Sequence, residues 1–319
     1  MPDVLEETVS KNPVKSGSNR RPERKLGSPK PKSLVSHGSW WWAAPGLIAV
    51  LCVHYIATFL GIGYAFTDFN GIGEFNWVGL ENFRTILDDY EVITSIGNTA
   101  FLAFGFLIAV NLIGLLFALA INRSLKTRYL LRTLLFLPVV LSAISVSYIF
   151  KYIFAFDGPI NAFAKAAGLS DGTYVWLADP QVALWAILLV AVWQNSGIAM
   201  VVYLAGLALV PQELEEAAAL DGAGTFGRFW HITLPMIQPA IAINLTLSLT
   251  TGLKIFDQVK AMTNGGPFGA TDTLATVIYR NTYEFMNYGY GAAISLVFTI
   301  AILIFAAVQM YLTRDRGAK

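Results

Sequence analysis

The stretch Glu213-Leu-Glu-Glu-Ala-Ala-Ala-Leu-Asp-Gly-Ala-Gly-Thr-Phe-Gly-Arg-Phe-Trp-His-Ile-Thr-Leu-Pro235 interrupts a chain that is otherwise strongly apolar. Pro211 stands just ahead of it, where a helix commonly starts. Leu214, Ala217 and Ala218 fall at i, i+3 and i+4, which predicts a short helix with a small apolar face. Gly222 and Gly224 break that helix. Thr225 is placed to cap a second one, in which Phe226, Phe229 and Trp230 repeat the same spacing. Two short amphipathic helices at a bend suit one of two uses. The segment folds back on a membrane, or it seats as a knob in a groove of another protein.

The rest of the chain shows which solvent surrounds this loop. Of 319 residues, 55% are hydrophobic and 13% charged, against roughly 25% charged in ordinary soluble domains. The bilayer is the better solvent, and apolar runs of about 20 residues are the expected unit. Six such runs occur, over residues 41–66, 98–120, 129–156, 182–207, 236–256 and 291–311. Backbone polar groups in lipid must be satisfied within the segment, so each run is predicted to be a helix. The fold class is therefore all-α, a polytopic membrane protein with six transmembrane helices.

Six spans place both termini on one side, and Lys and Arg choose the side. Eight lie in residues 1–39, a polar stretch that reads as a disordered cytoplasmic tail. Arg123, Lys126, Arg128 and Arg132 fall between the second and third runs, Arg228 between the fourth and fifth, and Arg314, Arg316 and Lys319 at the end, in a C-terminal tail that includes 316–319. These are sixteen of the 22 basic residues and predict cytoplasmic termini. Residues 68–91 carry six acids and one base, Arg84, on the opposite side. The segments 156–181 and 257–290 read as outer loops. Trp40–Trp42 reads as an interfacial aromatic anchor. Cys52, the lone cysteine, lies in an apolar run and reads as inert core. It excludes an internal disulfide. Net charge of +1 gives no footprint for nucleic acid, and His37, His54 and His231 lack metal-ligand spacing. No Gly-Lys dipeptide is present, hence no phosphate loop of the Walker A type.

The loop also carries a resemblance. Glu216-Ala217-Ala218, then Gly222, then Ile232, Leu234 and Pro235 resemble the EAA motif of permease subunits of ABC importers. A second set resembles the carbohydrate branch of that family, of the maltose and glycerol-phosphate type with the MetI-like fold. It comprises Trp77-Val-Gly-Leu-Glu-Asn-Phe83, Asn98-Thr99, Phe256-Asp257, Thr263-Asn-Gly-Gly-Pro267, Thr271 and Tyr288-Gly-Tyr-Gly-Ala-Ala293. The resemblance covers residues 40–315, which it implies is one transmembrane permease domain with a coupling loop at 211–235. It implies ATPase coupling through Glu216, Ala217, Ala218, Asp221, Gly222, Ile232, Leu234 and Pro235. Glu216 would bond to the partner or to its own loop.

It also implies partners: a second, different permease subunit in a heterodimer, two copies of an ABC ATPase, an extracytoplasmic solute-binding protein, and membrane lipids. No cofactor would be bound by this chain itself. ATP and Mg would sit on the ATPase, in a bacterial or archaeal plasma membrane. The solute would be a di- or oligosaccharide, a related polyol or glycerol phosphate. Sugar contacts would fall at Gln194, Asn195, Ile198, Ser248, Thr251, Gly252 and Ile255; Ile198 and Ile255 are aliphatic where polar or aromatic contacts are expected.

The residues alone leave alternatives at these positions. Polar groups in spans mark pathways or bond helix to helix, and Trp193 stacks on a sugar or packs on a neighbour. Lys254 pairs with Asp257 at i, i+3 or meets an anionic solute. An ion-coupled secondary transporter is the competing function, and it would need membrane carboxylates that the spans nearly lack. A membrane enzyme would need a reactive cluster, and no carboxylate pair, Ser–His–Asp set or thiol site presents itself.

Overall fold

A computed structural model describes residues 42–122 and 126–313. The expected tails at 1–39 and 316–319, residues Trp40 and Trp41 of the aromatic anchor, and Arg123, Arg314, Arg316 and Lys319 of the charge pattern lie outside the described residues. The chain divides into an N-terminal unit ending at Val53 and a larger unit from His54 onward. The described part of the first unit opens the helix α1 (Ala44–Tyr64), with Pro45 in its first turn. Cys52 is exposed on it rather than buried in a core, because this helix is apolar on all sides and has no inward stripe.

The larger unit continues with α2 (Glu81–Asp88), α3 (Tyr90–Ile121), α4 (Arg128–Val140), α5 (Ala143–Ile153), α6 (Pro159–Ala166) and α7 (Ala183–Leu207). Then come α8 (Gln212–Leu220), α9 (Thr225–Arg228), a wide π-helical turn over Phe229–Thr233, and α10 (Gln238–Leu253). The chain closes with α11 (Asp257–Met262), α12 (Leu274–Tyr279) and α13 (Tyr288–Thr313). Among the described residues five helices are long and apolar enough to cross a membrane, or six with α4 and α5 taken as one span.

The central helix is α7, with 67% of its most apolar window buried. Against it lies α3, which opens on Asp89; that carboxylate accepts from the backbone N–H of Glu91 at 2.9 Å and Val92 at 3.4 Å. The helices approach closely at Gly114, where an added Cβ would lie 2.5 Å from Ala199 Cβ and 3.0 Å from the Met200 nitrogen. Apolar side chains cannot distinguish protein from lipid, so small residues and buried polar bonds specify such packing. Asn111 of α3 supplies one such hub. Its Nδ2 donates to Ser248 Oγ of α10 at 2.8 Å, and its Oδ1 accepts from Tyr203 of α7 at 2.7 Å. Asn244 of α10 donates to the Ala199 carbonyl at 3.1 Å.

Two expectations are corrected. The run 129–156 is not one helix: α4 and α5 meet at 96°, with a break at Leu141 and Ser142. Pro138 lies inside α4 and has no N–H to continue the ladder. The segments expected to be outer loops are also more structured than loops, since 156–181 contains α6 and 257–290 contains α11 and α12. In the second, Thr273 and Thr276 form a reciprocal capping box that starts α12. The span begun by α10 runs on through α11, after a break at Lys254–Phe256 where the bonds tighten to Thr251 and Gly252.

The segment 257–290 is pinned to α3 and to itself. Asn98 donates to the Asp272 carbonyl and Thr99 accepts from the Leu274 N–H, both at 2.9 Å. Arg280 forks both oxygens of Asp272, at 2.6 and 2.7 Å, and also pairs with Glu91. Asp68, in the acidic segment, accepts from the Asn76 backbone N–H at 2.6 Å and from Asn76 Nδ2 at 3.1 Å, bonds that hold its carboxyl below the usual range.

The close fit of α4 on α7 gives a first test. A Cβ at Gly197 would lie 2.6 Å from the Leu135 carbonyl oxygen and 2.9 Å from Phe136 Cα, both backbone atoms. Gly197→Val should therefore lower stability by about 1–3 kcal/mol, as overpacking does. Gly61→Ala, with nothing within 4 Å, should not. Thermal unfolding of the purified chain in detergent reads the difference, and equal midpoints would refute the packing account.

Candidate functional site

The stretch 211–235 folds as the bent pair of helices its spacing predicts. Its helix α8 ends at Asp221, and Gly222 takes φ +85°, a conformation open to glycine at little cost. The Gly222 N–H donates to the Ala219 carbonyl at 3.2 Å and the Ala223 N–H to that of Ala218 at 2.9 Å. That pair of bonds is a Schellman cap. Gly224, not Thr225, holds the N-cap position of α9, and no side chain caps it; Thr225 is already inside the helix.

Glu216 accepts from Gln212 Nε2 at 2.8 Å, one turn back on its own helix. Its neighbour Glu215, which the spacing did not single out, reaches across the bend. Its carboxylate accepts from Thr233 Oγ1 at 3.2 Å and ties α8 to the π-helical turn. Leu234 packs half-buried against the main core and Ile232 is half-buried, while Asp221 and Pro235 are exposed. Ala217 is exposed and Ala218 half-buried. Leu220, Phe226 and Trp230 expose 90%, 76% and 49% of their surface. The bend thus presents small residues and exposed large apolar side chains together. Behind it a cavity of about 770 Å³ runs to the ends of α3 and α7, lined by Leu119, Leu207, Glu215, Arg228 and Phe229 among others.

A second group surrounds two adjoining cavities between α3, α7 and α10, of about 230 and 100 Å³. Asn195 and Thr251 line both. Gln194 and Ile255 line the larger, Ile198 and Ser248 the smaller. The break after α10 turns Lys254 and Asp257 toward the larger cavity as well. They are not paired with each other: the ion pairs among the described residues are Lys260–Glu284, Arg280–Glu91 and Arg280–Asp272.

Not every expected residue joins this group. Trp193 faces an apolar groove on another side of α7, with its ring 5.2 Å from Phe150. Gly252 packs on α3, where a Cβ would lie 2.9 Å from Ala103 Cα. Ser248 lines the smaller cavity, but its hydroxyl is engaged with Asn111 in the helix hub described above. Asn195 donates to the Ala191 carbonyl at 2.9 Å, which leaves its Oδ1 free to accept. Phe106 of α3, which lines both cavities, and Gln258 of α11 were missed. One lies in an unbroken apolar run and the other in a segment read as loop, so no local pattern marked them.

Known proteins are similar to this chain over most of its length. The family described as binding-protein-dependent transport system inner membrane component matches residues 110–317. The probable starch degradation products transport system permease protein AmyD of Thermoanaerobacterium thermosulfurigenes is 31% identical, over 90% of this chain and 98% of its own. The multiple sugar-binding transport system permease protein MsmF of Streptococcus mutans is 32% identical, over 89% and 97%. A chain from a bacterial ABC transporter involved in the import of the acidic polysaccharide alginate superposes with a TM-score of 0.78 at 25% identity, covering 88% of this chain and 96% of that one. With its broken apolar spans and bent loop, this chain belongs to the family of inner-membrane permease subunits of binding-protein-dependent ABC importers.

Proposed function

We propose that the chain forms part of the membrane pathway of an ATP-driven importer that carries a sugar into the cytoplasm. The observation that carries the sugar reading is the match to carbohydrate permeases over nearly their whole length. The cavity agrees with it: carboxamides, a hydroxyl and two phenylalanine rings at one place suit the hydroxyls and apolar faces of a sugar ring.

In this reading the Glu213–Pro235 stretch lies on the cytoplasmic side, as the distribution of Lys and Arg favours. Its bend seats in a cleft of a separate ATPase, which holds ATP and Mg in two copies. A second, different permease subunit completes the pathway. A binding protein delivers the solute from outside, which the family description supports. Glu216, Ala217, Ala218, Asp221 and Gly222 form the docked surface. Ile232, Leu234 and Pro235 anchor it to α10, so a push on the bend reaches the helix that carries Thr251. Asn195 and Thr251, which line both cavities, are the uncharged polar residues offered to the solute.

Removing either polar group should weaken solute recognition more than turnover. Asn195→Ala and Thr251→Ala are each expected to raise the KM of uptake by about tenfold, the effect of one lost hydrogen bond of roughly 1.4 kcal/mol. Initial-rate uptake into membrane vesicles checks this, and unchanged KM and rate in both would remove them from the solute pathway.

A further inference from the structure

Among the described residues two spans are broken, and one side chain bonds at the first break and just past the second. At the first break Leu141 is extended, with φ −78° and ψ 142°, so its carbonyl has no partner one helical turn ahead. The helix restarts with the Val146 N–H on the Ser142 carbonyl at 3.0 Å, one residue too late to use it. An unpaired carbonyl at membrane depth is costly, and broken spans persist where a neighbouring helix re-satisfies the freed group. Gln194 of α7 does so, its Nε2 donating to the Leu141 oxygen at 3.0 Å. Its own Oε1 accepts from Gln258 Nε2 at 3.2 Å. Gln258 sits on α11, just past the second break. Both side chains are nearly buried, at 5% and 7% exposure.

We infer that Gln194 is a positioning residue for transport, a strap across α7 that holds the two broken spans in register. The larger cavity lies on this strap: Ala143 follows the first break, Lys254 and Asp257 bracket the second, and Gln194 stands between them. Asn195, the next residue along α7, owes its place beside Thr251 to the same arrangement. Gln194 already uses its oxygen and one N–H on protein groups, so it shapes the solute cavity rather than grasping the solute. This inference rests on the importer reading for its effect on transport but not for the bonds themselves.

The test pairs a readout of each kind. Gln194→Leu keeps the volume and loses both bonds; Gln258→Leu leaves the bond to Leu141. In the purified full chain, Gln194→Leu should raise amide hydrogen exchange over residues 146–150, the first bonded amides of α5, about tenfold, the local opening expected when one buried carbonyl loses its donor. Exchange along α3 and α13 should not change. In the assembled transporter, uptake of labelled maltotriose should show KM raised about tenfold with the maximal rate held within about twofold, as for a group that orders the ground-state site. Gln258→Leu should do less, and the double variant should match Gln194→Leu alone, because the two bonds act in series. Unchanged exchange over 146–150, or additive effects of the two substitutions, would overturn the inference. Parent protein that fails to take up maltotriose would count against the sugar reading instead, and the exchange result would still decide the strap.

Discussion

Gly222→Asp is expected to reduce ATP-driven uptake to background while the protein remains in the membrane at parental levels. The two halves of this result have separate causes. Gly222 holds φ +85°, and a side chain there is strained by roughly 1 kcal/mol in an otherwise open space, since no neighbouring atom lies within 4 Å of an added Cβ. That is too little to unfold a chain whose core lies elsewhere. At the bend, however, it works against the Schellman cap that turns α8 toward α9. It also sets a carboxylate beside Asp221 on the surface proposed to enter the ATPase. A docked bend that no longer fits transmits nothing. Gly222→Ala carries only the backbone strain and should retain part of the uptake. Uptake assays beside immunodetection of the membrane fraction measure both halves, and normal transport by Gly222→Asp would show that the bend does not couple.

Arg280→Leu should produce the largest loss of stability. Arg280 forks both oxygens of Asp272, whose side chain is 2% exposed, and pairs with Glu91 at the start of α3. Burial pushes the Asp272 carboxyl up, and the hydrogen bond from Thr276 opposes that effect. Removing the Arg280 guanidinium leaves a buried carboxylate without its cation, a change that destabilises by about 3–5 kcal/mol. Lys260→Met breaks a pair that is 30% and 41% exposed and should cost no more than about 1 kcal/mol. Asp272→Asn in the Arg280→Leu background should recover part of the loss, because the amide needs no counter-charge. Thermal unfolding of the three variants in one detergent reads the order. An Arg280→Leu midpoint equal to the parent's would contradict it.

The α8–α9 bend and the spans were legible in the sequence for a common reason. Hydropathy reports depth in the membrane, and glycine at Gly222 reports a backbone conformation that few other residues adopt. Neither depends on knowing the neighbours. Helix rotation within the spans was not legible. On an apolar helix the lipid-facing and protein-facing sides read alike, so adjacent Trp193 and Gln194 gave no sign that one faces an apolar groove and the other a buried strap. The break at Leu141 was hidden similarly. Pro138 marks a weakness in the run, but the 96° turn is stabilised from outside it, by Gln194 on a helix 53 positions away. Asn111 stood as one polar residue in an apolar run, and its hub with Tyr203 and Ser248 exists only in three dimensions. Lys254 and Asp257 have the spacing of a helical pair, yet the break between α10 and α11 separates them and each faces the cavity instead.

The most direct test of the account is to co-purify the chain with its partners, reconstitute the complex in vesicles, and follow uptake and ATP hydrolysis together. The predicted result is a co-purifying ATPase and uptake that is blocked by vanadate, insensitive to proton and sodium ionophores, and lost in Gly222→Asp. Uptake that collapses with a proton or sodium gradient and proceeds without any ATPase would contradict it.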